Sequence, residues 1–276
     1  MNLAEILAHE PDGALHISTL KHIAESPLHF RHVLEHGVKV TKAMRIGTVV
    51  HRLVLGPQAG RDVVTWPDTR RGKAWETFQA KHEAAGNEIV STKEWEEAEE
   101  IAAAVLAHDG ARSLLEGARC EVPLRWEING VPFATRGIDL VTAALGIGDM
   151  KSTRTANPKH FSRDALKMFY HVQLASYEEG AKQNGIDTSA GVRLLAVESK
   201  APYAVQIFKL TPRLLDRGRR ELALWIETLK ACANADHWPA YSVAELDLDA
   251  PPDAPVELDF EDEDEDEDDE TDEAAA

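Results

Sequence analysis

Three residues in the middle of the chain have the types and spacing of a hydrolytic metal site. Asp139 ends an apolar, strand-like run, GIDLV, and Asp149 ends the next, LGIGDMK, with Lys151 two residues further on. A short turn over 142–144 lets two such strands run antiparallel and brings both carboxylates to one edge of a sheet. Side chains alternate along a strand, so Asp149 and Lys151 share a face while Met150 points away. Two acids offer hard oxygen ligands to Mg²⁺, and the bound metal lowers the pKa of a water. The lysine stabilises the attacking hydroxide or the transition-state charge, which completes the equipment for phosphodiester hydrolysis. A surface salt bridge in a charged chain has the same short pattern, so this spacing alone leaves both readings open.

The surrounding sequence predicts the elements that must carry these groups. Residues 2–36 read as two short helices, with Ser18 as one N-cap and Ser26-Pro27 opening the second. A third helix is expected over 43–55, a polar loop over 60–72, and two more helices over 73–85 and 92–108, parted by Gly86-Asn87. The period then changes to that of strands: 120–128, a hairpin turn at Asn129-Gly130, 131–141 and 145–151. A helix over 158–183, strands over 191–198 and 203–210, and a last helix over 212–235 capped by Thr211 complete the chain. This order predicts an α/β (α+β) fold, one sheet flanked by helices. A single domain is expected over 1–246: a mostly helical part (1–110), the catalytic sheet and helix (118–210) and the C-terminal helix (211–236). There is no internal repeat.

Composition sets the limits of function. The chain has 276 residues and a formal charge of −18, but fourteen of its acids lie between Glu257 and Glu273, and residues 1–255 carry only −4. The body therefore need not repel nucleic acid. Residues 247–276 read as a disordered acidic tail, either a solubilising terminus, a DNA mimic or a handle for a basic partner. No run approaches a membrane helix and the N-terminus lacks a signal peptide, which predicts a cytoplasmic protein with no membrane partner. Cys120 and Cys232 are too few for a disulfide framework or a cysteine-held cluster, and read as buried small hydrophobes.

Other motifs compete. His32-Val-Leu-Glu35-His36 fits the inverted zinc-peptidase pattern, two histidines one helical turn apart with a general base between them. Gly146-x-Gly148 lacks the third glycine of a dinucleotide loop, and neither a P-loop nor a Gly-x-Ser-x-Gly elbow is present. His51 alone on an apolar helix reads as a satisfied core histidine. Its i,i+4 partner Gly47 would let another backbone approach that face. Gln173 and Tyr177 are one turn apart on the helix after the second acid, able to touch a DNA backbone and to position Lys151. Arg136 falls on the wrong strand face for a phosphate role unless a bulge intervenes.

Taken together these residues resemble the PD-(D/E)XK nuclease superfamily, and within it the RecE-like (exonuclease VIII-like) phage and prophage exonucleases. GTVVHRLVLGP is similar to the family's Gly-x-x-x-His helix, and CEVPLRWEINGVPFATRGIDLV to its Glu-bearing strand and hairpin. IGDMKSTRTANPKHF is similar to the Asp-x-Lys-(Ser/Thr)-Thr strand, and YHVQLASYEEG to the Gln-Tyr signature. The likeness runs from ISTLKHIAESPLHF through ESKAPY to HWPAY. Met150 in place of Leu or Val, and the acidic tail, depart from the pattern.

The resemblance implies a restriction-endonuclease-like core with a central mixed sheet. It implies a Mg²⁺-dependent exodeoxyribonuclease, with Mn²⁺ as substitute, that digests linear duplex DNA 5′ to 3′ and leaves 3′ single strands for recombination. His51, Glu121, Asp139, Asp149 and the Met150 carbonyl would hold one or two metals. Glu127 competes with Glu121 as the strand-borne acid. Asp139, Asp149, Lys151 and Glu121 would be catalytic, and Gln173, Tyr177, Arg136, Ser152 and Thr153 would contact DNA. Double-stranded DNA ends, a phage single-strand annealing protein and a homo-oligomeric ring are the implied partners. A non-catalytic recombination accessory protein on the same fold is the alternative.

Overall fold

The computed structural model of the chain describes residues 1–57, 59, 61–143 and 146–245. Met1–Ala240 pack as one compact unit, and 241–245 contain bends without a regular element. The acidic tail lies outside the described residues.

Helix α1 (Leu3–His9) starts with a capping box between Asn2 and Glu5. Helix α2 (Ile17–Leu20), a 3₁₀ turn (Lys21–Ala24) and α3 (Pro27–His36) follow. Ser26 caps α3 and Pro27 opens it, as expected. The stretch nevertheless holds three α-helices and a 3₁₀ turn in place of two helices, and α2 starts from His16, not Ser18. The pieces are too short for a 3.6-residue period to accumulate, because each is anchored by one or two core residues such as Ile6, Leu20 and Ile23.

Helix α4 (Lys42–Leu55), capped by Thr41, buries Ile46, Val49, Val50 and Leu55 on one face. Strands β1 (Val63–Trp66) and β2 (Glu88–Ser91) pair in parallel across helix α5 (Gly72–Ala84). This small sheet corrects the loop expected over 60–72: four β-branched or aromatic residues, VVTW, form a strand between segments rich in Arg, Asp and Pro. Helices α6 (Thr92–Ala107) and α7 (Asp109–Leu115) follow.

Strands β3 (Arg119–Ile128), β4 (Val131–Thr142) and β5 (Gly146–Thr153) form the predicted meander. Asn129 and Gly130 both have positive φ, 52° and 75°, as a two-residue type I′ hairpin turn requires. The helix expected over 158–183 is two, α8 (Pro158–Lys167) and α9 (Tyr170–Gln183). Phe169 between them adopts φ 58°, a left-handed break that neither glycine nor proline signals. Strands β6 (Val192–Glu198) and β7 (Val205–Lys209) and helix α10 (Pro212–Ala235), capped by Thr211, end the unit.

The main sheet has the order β3-β4-β5-β6-β7 and is mixed, since only β5 and β6 are parallel. The crossover between them is α8 and α9, the helical connection a parallel pair requires. Alternation along the strands sorts two cores. Val141, Ile147, Leu194 and Ala196 join Leu174 of α9 and Leu222, Trp225 and Ile226 of α10. Leu140, Met150, Leu195 and Val197 face Val49 and Val50 of α4 and Ile101 and Val105 of α6. Buried Glu94, at the start of α6, ties α6 to α4 and to the segment between β1 and α5: Arg45 of α4 donates to Oε1, while Arg70 and the Ser91 amide donate to Oε2. Among the described residues no helix is long and apolar enough to cross a membrane.

Candidate active site

Register brings the acids together. Cys120 opposes Leu140 and Val122 opposes Ile138, so Glu121 stands opposite Asp139. Leu140 opposes Gly148, so one step further along the two strands Asp139 meets Asp149. Three carboxylates thus form one row across β3, β4 and β5. Asp139 and Asp149 are both buried, and Lys151 Nζ lies 2.6 Å from Asp149 Oδ2. That contact is a buried ion pair, in which the ammonium is held by Asp149.

A bulge aims Glu121. Between Val122↔Ile138 and Leu124↔Thr135 the register shifts, so that Arg136 and Gly137 oppose Pro123 alone. Glu121 itself takes φ 52°. Its carboxylate occupies the space above Gly137, where a Cβ would lie 2.2 Å from Oε2 and 2.7 Å from the Glu121 Cα. Only glycine fits there. The bulge is locked from α9: Gln173 Nε2 donates to the Tyr177 hydroxyl at 3.0 Å, which shares a hydrogen bond with Thr135 Oγ1 at 3.3 Å. Thr135 Oγ1 in turn donates to the Gly137 carbonyl at 3.0 Å.

From the other side of the sheet, α4 delivers His51. Its Nδ1 meets the Gly47 carbonyl at 2.9 Å, which fixes the ring, and its Nε2 reaches Asp139 Oδ2 at 3.1 Å. The Met150 amide donates to the same oxygen at 2.6 Å. Burial disfavours a charged ring at His51, but Asp139 outweighs it and raises the pKa to about 9. Asp139 moves the opposite way: burial pushes its carboxyl up, and His51 with the Met150 amide holds it below the usual range. Asp149 is pushed up to about 6 by burial, against the pull of Lys151 and with the repulsion of Asp139. Burial also raises Glu121, with Asp139 adding to it. Lys151 loses solvation, yet the two aspartates hold it charged.

The structure thus brings Glu121, Asp139, Asp149, Lys151 and His51 together, with Met150 between the last acid and the lysine. Glu127 is elsewhere: it is exposed near the hairpin, its backbone N–H and C=O both bonded to Gln183. Arg136, on the bulge, is exposed and lines an open cleft of about 350 Å³ beside the row, with Glu121, Tyr177, Ser18 and Thr19. Ser152 faces α4, its Oγ 3.4 Å from where a Gly47 Cβ would lie. Gly47 therefore admits a hydroxyl in ordinary contact, not the close backbone approach expected. Thr153 Oγ1 donates to the Thr155 carbonyl at the end of β5. Gln173 and Tyr177 hold the bulge, and Tyr170, not singled out in the sequence, is the residue against Lys151, with Nζ 5.3 Å from its ring centre.

The zinc-peptidase pattern does not assemble. Glu35 is taken by Arg31 at 2.9 Å, His36 Nδ1 meets the His32 carbonyl, and the two rings stack 4.5 Å apart. Among the described residues no third ligand joins them.

A family model described as a PDDEXK-like domain of unknown function (DUF3799) matches residues 16–245, the span that carries every residue of this site. The chain belongs to this PDDEXK-like family. Its fold is shared with a crystal structure of a protein from Eubacterium rectale that is provisionally named an exonuclease. The TM-score is 0.59 at 14% identity, over 86% of this chain and 90% of the other. No curated protein matches the sequence.

Donor chemistry in this PDDEXK-like chain fits a divalent cation. The row supplies hard carboxylate oxygens and one imidazole, the donor set a hard divalent cation takes, and buried Asp149 Oδ2 has the Lys151 ammonium against it. Among the described residues no three such side chains already converge as on a bound ion. His51 and Lys151 instead neutralise Asp139 and Asp149. Sequence reasoning missed Gly137 and Thr135; the signal was present as the odd offset of Arg136, which required the bulge they build.

Proposed function

We propose that this protein is a metal-dependent exodeoxyribonuclease that shortens linear duplex DNA from a 5′ end and leaves a 3′ single strand. The observation that supports this reading is the row Glu121–Asp139–Asp149 with Lys151 beside it and an open cleft at its Glu121 end. Such a cluster of buried like charges costs stability and has no use in a scaffold, which weighs against the accessory-protein reading. Glu121, Asp139, Asp149 and His51, with the Met150 carbonyl, would hold Mg²⁺, or Mn²⁺ in its place. When bound, the ion supplies Lewis acidity and a water of lowered pKa.

The chain's own groups do the rest. Gly47 orients His51 so that Nε2 faces the row. Lys151, kept charged by the aspartates, stabilises negative charge developing on the phosphate. Tyr170 packs beside that ammonium and limits its motion. The Gln173–Tyr177–Thr135 chain keeps Glu121 in place, and Arg136 offers a cation at the cleft for a backbone phosphate. A ring-shaped oligomer and a single-strand annealing partner belong to the same reading.

Polarity is tested with linear duplex labelled at the 5′ or the 3′ end, alongside a closed circle, in Mg²⁺. The reading expects early mononucleotide release from the 5′ label and an intact circle. Cutting of the circle, or release from the 3′ label first, overturns it.

A further inference from the structure

Away from the acid row, α5 is a helix with no buried residue, yet it is aromatic. Trp75 and Phe78 stack on one another and meet Trp66 of β1 at tilted angles, and His82 meets Phe78: the ring centres are 6.4 Å apart for Trp75–Phe78, 5.6 Å for Trp66–Trp75, 4.8 Å for Trp66–Phe78 and 4.3 Å for Phe78–His82. None of the four belongs to either hydrophobic core, and each is half-buried. Trp75 is thus placed on a helix without buried residues, where Lys and Glu are ordinary, and Trp66 of β1 lies against it. The Trp66 ring is fixed by its N–H on the Thr69 carbonyl at 3.0 Å, and the Arg70 guanidinium lies 5.7 Å from the Trp75 ring centre.

Cations gather at the Trp75 end of the rings: Arg70, Arg71 and Lys73 lie within five residues before it, although over 61–84 as a whole five cations stand against four acids, and Arg70 pairs with Glu94 at 2.9 Å. Arg71 and Lys73 are exposed at the start of α5, and among the described residues neither forms an ion pair. Rigid ring faces flanked by cations suit a ligand with flat faces and a polyanionic backbone, in which the flat faces are not already covered by pairing. We propose that the β1–α5 aromatic platform binds single-stranded DNA. The choice of ligand rests on the nuclease reading, in which digestion of one strand leaves the other single. The platform is also tied to the helix that carries His51: the next residue, Arg52, pairs with Asp62 at 2.9 Å and donates to the Arg61 carbonyl at 3.3 Å.

The test uses the full chain in EDTA, so that binding is read without cleavage, and follows the anisotropy of a fluorescein-labelled oligo-dT. The wild type is expected to bind. Trp75→Ala is expected to weaken binding roughly 5- to 150-fold, the range found for one base–aromatic stack, and Trp75→Phe to restore most of it. Arg71→Ala with Lys73→Ala, at exposed positions that leave folding intact, is expected to lower the log–log salt slope by roughly 1.4. The proposal is overturned if the wild type does not bind at low salt, or if folded Trp75→Ala and the double variant bind like the wild type. Cleavage of linear duplex in Mg²⁺ is measured on the same samples. Cleavage without oligo-dT binding sinks the platform alone, and binding without cleavage sinks the nuclease reading alone.

Discussion

Replacing Gly137 by alanine should disable the site without unfolding the protein. The new Cβ would stand 2.2 Å from Glu121 Oε2, 2.7 Å from its Cα and 2.9 Å from its carbonyl carbon. The carboxylate can swing aside, but the backbone contacts reach ordinary separation only if β3 and β4 part by roughly 0.7 Å at the bulge. Overpacking of this kind costs about 1–3 kcal/mol, offset by up to about 1 kcal/mol from removing a flexible glycine from a strand. The net loss of about 0–3 kcal/mol lowers Tm by up to about 10 °C in a unit of this size. Activity should suffer more, because Glu121 is displaced by most of an ångström: about 10- to 100-fold in the initial rate on linear duplex DNA. Gly148→Ala is the control, one strand over and next to Asp149. Its Cβ would meet Leu140 Cδ1 at 3.4 Å and the Arg193 carbonyl at 3.8 Å, both ordinary contacts. The assay pairs thermal unfolding with cleavage of end-labelled duplex in Mg²⁺. Wild-type cleavage by Gly137→Ala, or a greater loss in Gly148→Ala, would refute the claim that the bulge sets Glu121.

Two further outcomes follow from the hydrogen bonds. Tyr177→Phe removes the hydroxyl between Gln173 and Thr135; stability should fall by about 1 kcal/mol and cleavage by about 10-fold, and an unchanged rate would show that the chain does not hold the bulge. Glu94→Gln should cost about 2–3 kcal/mol at pH 7, since Arg45 and Arg70 lose their charged partner. Burial works against the Glu94 carboxylate, but the two arginines and the Ser91 amide hold its pKa below the ordinary value. A depressed pKa means that the stabilisation is complete above the unfolded value and is lost as pH falls through the folded one. The gap between wild type and variant in denaturant unfolding should therefore narrow below about pH 4; a gap constant from pH 7 to pH 3 would contradict the assignment.

Much of the site was legible because it is local or periodic. Asp149, Met150 and Lys151 obey strand alternation, Gly47 and His51 are one helical turn apart, and Asn129-Gly130 sets the hairpin register as far as Leu124 and Thr135, beyond which the bulge shifts it by one residue and aligns Glu121 with Asp139. What the sequence hides are features set by contacts distant along the chain. The space above Gly137 exists only because Glu121 turns back onto it. Gln173 and Tyr177 are recognisable as a pair, but their target, Thr135, lies 42 residues from Tyr177 and is defined by packing. The β1–β2 sheet joins segments separated by a whole helix, and Phe169 breaks the α8–α9 pair with no residue that favours positive φ. Glu121 and Glu127 are equivalent by strand period, and only the bulge separates them.

The central claim is that the row and Lys151 hydrolyse DNA with a divalent ion. The most direct measurement is the initial rate of cleavage of linear duplex DNA by the wild type, Asp149→Asn and Lys151→Ala, in Mg²⁺ and again after EDTA. The account predicts cleavage by the wild type that stops on chelation, and a fall of about 10²–10³-fold or more in each folded variant. Cleavage that survives EDTA, or that either variant performs at the wild-type rate, would contradict it.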